Sequence, residues 1–211
     1  MKPAAIAQFF QTLHAQNPEP KGELNHVNPY TLLVAVVLSA QATDKGVNKA
    51  TAPLFAVVQT PAQMLALGEE KLRNYVKSIG LYKGKAANII KLSALLLERH
   101  GGDVPNDQKA LEALPGVGRK TANVVRSMAF GVPTIAVDTH VFRVSNRTGL
   151  ATGKTVVAVE EKLLKVIPKH YLFHAHHWLI LHGRYTCTAR APKCANCPVY
   201  KLCGWKDKAS L

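Results

Sequence analysis

Acidic residues are scarce in this 211-residue chain: 13 Asp and Glu stand against 27 Lys and Arg, a formal charge of +14. The shortage is uneven. From Leu114 to the end there are 15 basic and 4 acidic residues (+11), while Met1 to Ala113 holds 12 and 9 (+3). So basic a half points to a polyanionic partner, nucleic acid first. Long apolar runs are also lacking. The longest uncharged apolar stretch, Tyr30 to Thr43, has 14 residues, short of the roughly 20 a membrane helix needs, so no membrane association is expected. Met1 to Gln8 has neither a continuous apolar core nor a cleavage pattern, which excludes a secretory signal and makes a reducing cytoplasm the expected compartment. Cysteine is rare: there are four, all in the last 25 residues. In a reducing compartment such crowding indicates a metal rather than disulfides. Two-residue alternation is almost absent, so the chain reads as all-α. Apolar residues are not short; at 47% they suffice for a sizeable core and exclude disorder.

About ten helices follow from the pattern. Asn28-Pro29 reads as an N-cap with proline at the first helical position, opening a run to Leu38 that is apolar on every side and belongs at the centre of a core. Asp44 is the expected cap of a helix to about Val57, and Thr60-Pro61-Ala62-Gln63 is a capping box whose helix stops at Gly68. Further helices are expected over 69–78, 85–100, 107–113, 119–130, 138–148, 155–166 and 169–183, with a cysteine-rich loop from Arg184.

Leu114-Pro115-Gly116-Val117-Gly118 joins two of these helices. The glycines permit positive φ and close approach of backbone to a ligand, and the N–H groups at the next helix start suit a phosphate. Such contacts hold a duplex without reading its sequence; a plain interhelical turn would look the same. Lys120 follows in the first turn, where the positive end of the helix dipole disfavours an ammonium and so favours the nucleophilic amine. A solvated lysine or a phosphate contact is the blander reading. Asp138 adds to the case. It is the only acid between Glu112 and Glu160, set at a helix start after the apolar run Pro133 to Val137. The helix after the hairpin rises about 17 Å, and the seven residues Gly131 to Val137 reach about 23 Å extended, so the chain can return beside Lys120. Asp138 is also a natural N-cap for Thr139-His140-Val141-Phe142; capping would fix the orientation of a catalytic carboxylate.

Cys187, Cys194, Cys197 and Cys203 have the spacing C-x6-C-x2-C-x5-C. Four thiolates within 17 residues suit zinc or a [4Fe–4S] cluster, and the single C-x2-C pair leans to the cluster. Pinned at both ends, the intervening loop would present Arg190 and Lys193 to phosphates. The histidines His174, His176, His177 and His182 lie around an apolar helix and read as surface or packing residues rather than as a metal site. Leu81, between Gly80 and Gly84, is an apolar tip that in a DNA-binding protein can wedge between bases.

Together, Leu114 to Ala122, Val137-Asp138-Thr139-His140 and the four cysteines resemble the endonuclease III family, the DNA glycosylase/AP lyases of the helix-hairpin-helix superfamily. Leu38 to Asp44, Ile79-Gly80-Leu81-Tyr82 and His182-Gly183-Arg184-Tyr185 extend the likeness over nearly the whole chain. The resemblance implies two all-α lobes with a DNA-binding cleft between them: a six-helix barrel over 22–132 containing the helix-hairpin-helix, and a [4Fe–4S] lobe made of 1–21 plus 133–211. It implies a monomer acting in the bacterial cytoplasm, on the nucleoid, upon double-stranded DNA with oxidised pyrimidines or abasic sites. The damaged nucleotide is flipped out, Lys120 attacks its C1′ to form a Schiff base, and Asp138 supports the amine and the cationic sugar. Gln41 and Leu81 fill the vacated gap, while Leu114, Gly116, Gly118, Arg119, His140, Arg143, Arg184, Arg190 and Lys193 are expected on the DNA. One departure is Ala191, where many relatives carry a basic residue. An adenine-excising mismatch glycosylase usually lacks the lysine and adds a C-terminal domain, and the Lys120/Asp138 pair speaks against a non-enzymatic binder.

Overall fold

The computed structural model describes residues 1–210, and among them every regular element is helical. They divide into two compact units, Glu23–Gly131 and Met1–Gly22 with Val132–Leu211.

Glu23–Gly131 is built on α2, Pro29–Ser39, whose residues from Tyr30 to Leu38 are all buried. The Asn28 side chain accepts from Thr31 N, and Thr31 answers at the cap backbone, so the start of this helix is fixed locally. Around it come α3 (Asp44–Phe55), α4 (Pro61–Leu67), α5 (Glu69–Val76), α6 (Tyr82–His100), α7 (Gln108–Glu112) and α8 (Arg119–Phe130). Helices α3, α6 and α8 pack directly on α2. The capping box at Thr60 and Gln63 is present. Two details differ from expectation. Thr43, not Asp44, caps α3, because its hydroxyl accepts from Gly46 N at 3.1 Å and leaves Asp44 as the first helical residue. Helix α6 starts three residues before Lys85, on a left-handed Leu81.

The other unit contains α1 (Pro3–Gln16), α9 (Thr139–Thr148), α10 (Val156–Val166) and α11 (Lys169–Tyr185), then three short 3-10 turns. Helix α1 is the eleventh helix, absent from the periodicity reading. Its Lys2 cap position makes no side-chain hydrogen bond and its first turn holds no acid, so the usual start signals are missing. It is held by burial instead. Ile6, Phe9, Phe10 and Leu13 share one face, Phe10 packs near Tyr171 and Trp178, and Trp178 Nε1 donates to Asn17 O at 2.7 Å. Residue Gly183 lets α11 cross α9 closely: a Cβ there would stand 2.8 Å from the His140 Cβ.

This packing makes Phe10 the anchor of α1. Phe10→Ala is expected to destabilise the protein by about 3–5 kcal/mol, read from guanidinium unfolding followed by tryptophan fluorescence. A loss below about 1 kcal/mol would show that α1 is held by other contacts.

Candidate functional site

The hairpin is built from opposing demands on five residues. Leu114 and Val117 are buried and anchor it, with Val117 N donating to Leu114 O at 3.0 Å. Burial of the Leu114 side chain leaves only its backbone for a ligand. Gly116 has φ +80, and a Cβ there would meet Asn88 at 3.1–3.2 Å, so the fold itself demands this glycine. Gly118 is different. Its φ of −100 suits any residue, and a Cβ would meet nothing within 4 Å.

No side chain caps α8, and the first helical bond runs from Ala122 N to Gly118 O. The amides ahead of it therefore point out of the helix end, where the dipole is positive. Arg119 and Lys120 are exposed at this end, whereas Ala122 to Val125 are buried and hold the helix down. Amides of the kind that suit an anion and a primary amine share one helix terminus.

Asp138 belongs to the other unit. Buried Ile135, Ala136 and Val137 lead into it, and one carboxylate oxygen, Oδ1, accepts from His140 N and Val141 N at 2.9 Å each. The cap predicted from sequence is therefore present. It fixes the carboxylate's direction at the start of α9.

One and two turns further along α9, Arg143 and Arg147 hold the cysteine loop. Arg143 donates to Cys187 O (2.9 Å) and Gly183 O (2.6 Å), and Nη2 lies 3.3 Å from His140 Nδ1. Much of its guanidinium is thus engaged within the protein. Arg147, missed in the sequence, donates to Thr188 O (2.6 Å) and Ala189 O (2.8 Å), and lies 4.5 Å over the Trp205 ring. Its only sequence signal is the four-residue spacing from Arg143. Arg190 and Lys193, in the loop so held, are exposed, and Arg184 is half-buried near the end of α11.

Cys187, Cys194, Cys197 and Cys203 line one cavity together with Arg147, His182 and Lys208. Burial, with the neighbouring thiols, pushes the Cys197 thiol up to about 11 and raises that of Cys194. Four sulfurs so placed need a cationic centre to exist as thiolates. Thiols surrounding a shared cavity suit a polynuclear cluster. His182 is a packing residue. It lies 3.8 Å from Cys197 Sγ and edge-on to Phe9, and burial lowers its pKa to about 4.

Gln41 and Leu81 are exposed in Glu23–Gly131, and both have left-handed backbones (φ 54 and 60). For residues with a Cβ this costs about 1 kcal/mol each or more.

Comparison with known proteins agrees with this geometry. Residues 34–169 match the family described as HhH-GPD superfamily base excision DNA repair protein. Residues 187–203 match the iron-sulfur binding domain of endonuclease III. Endonuclease III of Escherichia coli (strain K12) is 59% identical over 211 residues, all of both chains. That of Haemophilus influenzae is 61% identical over 204 residues, 97% of each. Among solved structures, a trapped endonuclease III–DNA covalent intermediate in an estranged-adenine complex matches with a TM-score of 0.92 at 47% identity, over 100% of both chains. A non-covalent endonuclease III–DNA complex matches with the same TM-score and identity, over 100% of this chain and 98% of that one. The match through the cysteine loop resolves the choice left open by spacing: the cofactor is a [4Fe–4S] cluster. The chain belongs to the endonuclease III family of base excision repair DNA glycosylase/AP lyases.

Proposed function

We propose that this glycosylase excises oxidised pyrimidines from duplex DNA, with Lys120 as nucleophile and Asp138 as its acid–base partner. The observation that carries the reading is the exposed Lys120 amine in the first turn of the uncapped α8, directly behind the Gly116–Gly118 turn. Backbone amides there suit a phosphate, and the lysine is within the same turn to meet the sugar attached to it.

The chemistry follows from the groups. The Lys120 Nζ lone pair attacks C1′ of a flipped nucleotide and the C1′–N bond to the base breaks, its electron pair leaving with the base, which takes up a proton. Nitrogen gives up one proton, the C1′–O4′ bond breaks with its electron pair going to O4′, which takes up a proton, and a protonated imine results. Loss of a C2′ proton then expels the 3′ phosphate by β-elimination, and water releases the enzyme. Asp138, held by its cap, takes the amine proton and faces the cationic sugar. The cluster supplies structure: with Cys187, Cys194, Cys197 and Cys203 as ligands, it would hold the loop that carries Arg190 and Lys193.

The reading divides the work between a barrel lobe, 22–132, which brings the hairpin and Lys120, and a cluster lobe, 1–21 with 133–211, which brings Asp138 and the cysteine loop. Arg119, His140 and Arg184 are assigned to the duplex with the hairpin glycines. No helix of the described residues is long and apolar enough to cross a membrane; a monomer on the cytoplasmic nucleoid is the proposed setting.

The two catalytic assignments separate in one assay on thymine-glycol and abasic duplexes. Lys120→Ala should abolish strand nicking while lowering the salt slope of binding only by about one. Asp138→Asn, nearly isosteric and still able to cap, should bind normally and excise about 10²-fold more slowly. Equal losses of binding and turnover in either variant would mark that residue as structural.

The hairpin yields a separate test. Gly118→Ala has room for its Cβ, so stability should change by less than about 1 kcal/mol, while duplex affinity falls about tenfold as the methyl group blocks the phosphate approach. An unchanged affinity in filter binding would remove the amides of this turn from the interface.

A further inference from the structure

Gln41 and Leu81 are the two non-glycine residues with positive φ among the described residues. They lie 40 positions apart in sequence yet line one cavity, with Val37, Tyr82, Lys85 and Asn88. Local preference does not place a glutamine or a leucine in a left-handed conformation, so the surrounding fold must hold them there.

Lys85 links the two positions through its side chain. Although a lysine normally extends its ammonium into solvent, this residue is only 7% exposed. Its Nζ donates to Leu38 O at 3.0 Å and Ala40 O at 2.6 Å. These carbonyls close the end of α2, immediately before Gln41, where a helix leaves acceptors unsatisfied and a cation is favoured. Lys85 stands in the first turn of α6, where its backbone N makes the ordinary first helical bond to Leu81 O at 3.1 Å, so its side chain ties the helix start at Leu81 to the end of α2. One residue thus joins the two loops. Burial opposes the charge and lowers its pKa; the cost is met where two carbonyls face the ammonium.

We infer that Lys85 is a positioning residue for nucleotide flipping, fastening the end of α2 to the start of α6 so that Gln41 and Leu81 enter the duplex gap at a fixed separation. The inference rests on the glycosylase reading and on the gap-filling roles given to those two residues. A wedge acts only if it is held before it meets the DNA, because ordering it during insertion adds to the barrier of unstacking. Met1–Gly22 and Val132–Leu211 take no part in the clamp. Lys85 touches no reacting atom, so it acts through Gln41 and Leu81 alone.

The test is a double-mutant cycle on flipping, followed by stopped-flow fluorescence of 2-aminopurine placed beside thymine glycol. Lys85→Met keeps the apolar stem and removes the ammonium. It should slow the fluorescence rise about tenfold in the wild-type background, and change affinity for undamaged duplex by less than about twofold. In the Gln41→Ala/Leu81→Ala background the same change should slow flipping no further. Additive slowing there, or a Lys85→Met protein that flips as fast as the wild type, overturns the inference. If Lys85→Met does not fold by circular dichroism, Lys85→Gln, which keeps a donor without the charge, takes its place in the same cycle. A wild type that neither flips nor excises overturns the glycosylase reading together with this one; a wild type that does both, beside a variant just as fast, overturns this one only.

Discussion

The open N-terminus of α8 is the constraint on which the site depends. A helix start leaves its first amides without helical acceptors, and most helices cover them with a serine, threonine or aspartate. Here Gly118 occupies the cap position and offers no side chain. An uncapped start is tolerable only if the helix is held by other means. Ala122 to Val125 and Ser127 are buried, α8 packs on the buried α2, and Leu114 and Val117 anchor the preceding turn. The core thus supports a terminus that no side chain caps, and Lys120 occupies that terminus with a primary amine.

The contrast with α9 is instructive. That helix is capped by Asp138, with two amides on one oxygen, and continues into Arg143 and Arg147, which grip the cysteine loop through its carbonyls. One element therefore carries a carboxylate at its start and the support of the cluster loop along its length. The unit that contains it holds 14 basic and 5 acidic residues, against 13 and 8 in Glu23–Gly131. Phosphate attraction is expected from both, more strongly from the cluster-bearing unit.

What could be read in the sequence follows the range of the forces involved. The caps at Asn28, Thr60 and Asp138, the hairpin and the cysteine loop rest on neighbours within a few residues, and each stands as the pattern indicated. Helix α1 escaped the pattern reading, and only the resemblance implied it, because tertiary burial, not a cap, defines its start. The discontinuous unit was hidden from composition and came only from the family resemblance: the change in charge near residue 114 falls inside Glu23–Gly131, not at its edge. Residues whose role is set across the fold were the hardest. Lys85 and Arg147 carry little distinguishing mark in the sequence, and only the resemblance gives Arg143 a place, on the DNA. Nothing local reveals that carbonyls some 40 positions away claim all three side chains.

The claim that Lys120 supplies the nucleophile has one direct measurement: borohydride reduction during turnover on a thymine-glycol duplex, followed by proteolysis and mass spectrometry of the trapped peptide. The account predicts a covalent protein–DNA adduct carried on the peptide containing Lys120, and none with Lys120→Ala. An adduct on another amine, such as the Met1 terminus or Lys85, or no adduct from an actively excising wild type, would contradict it.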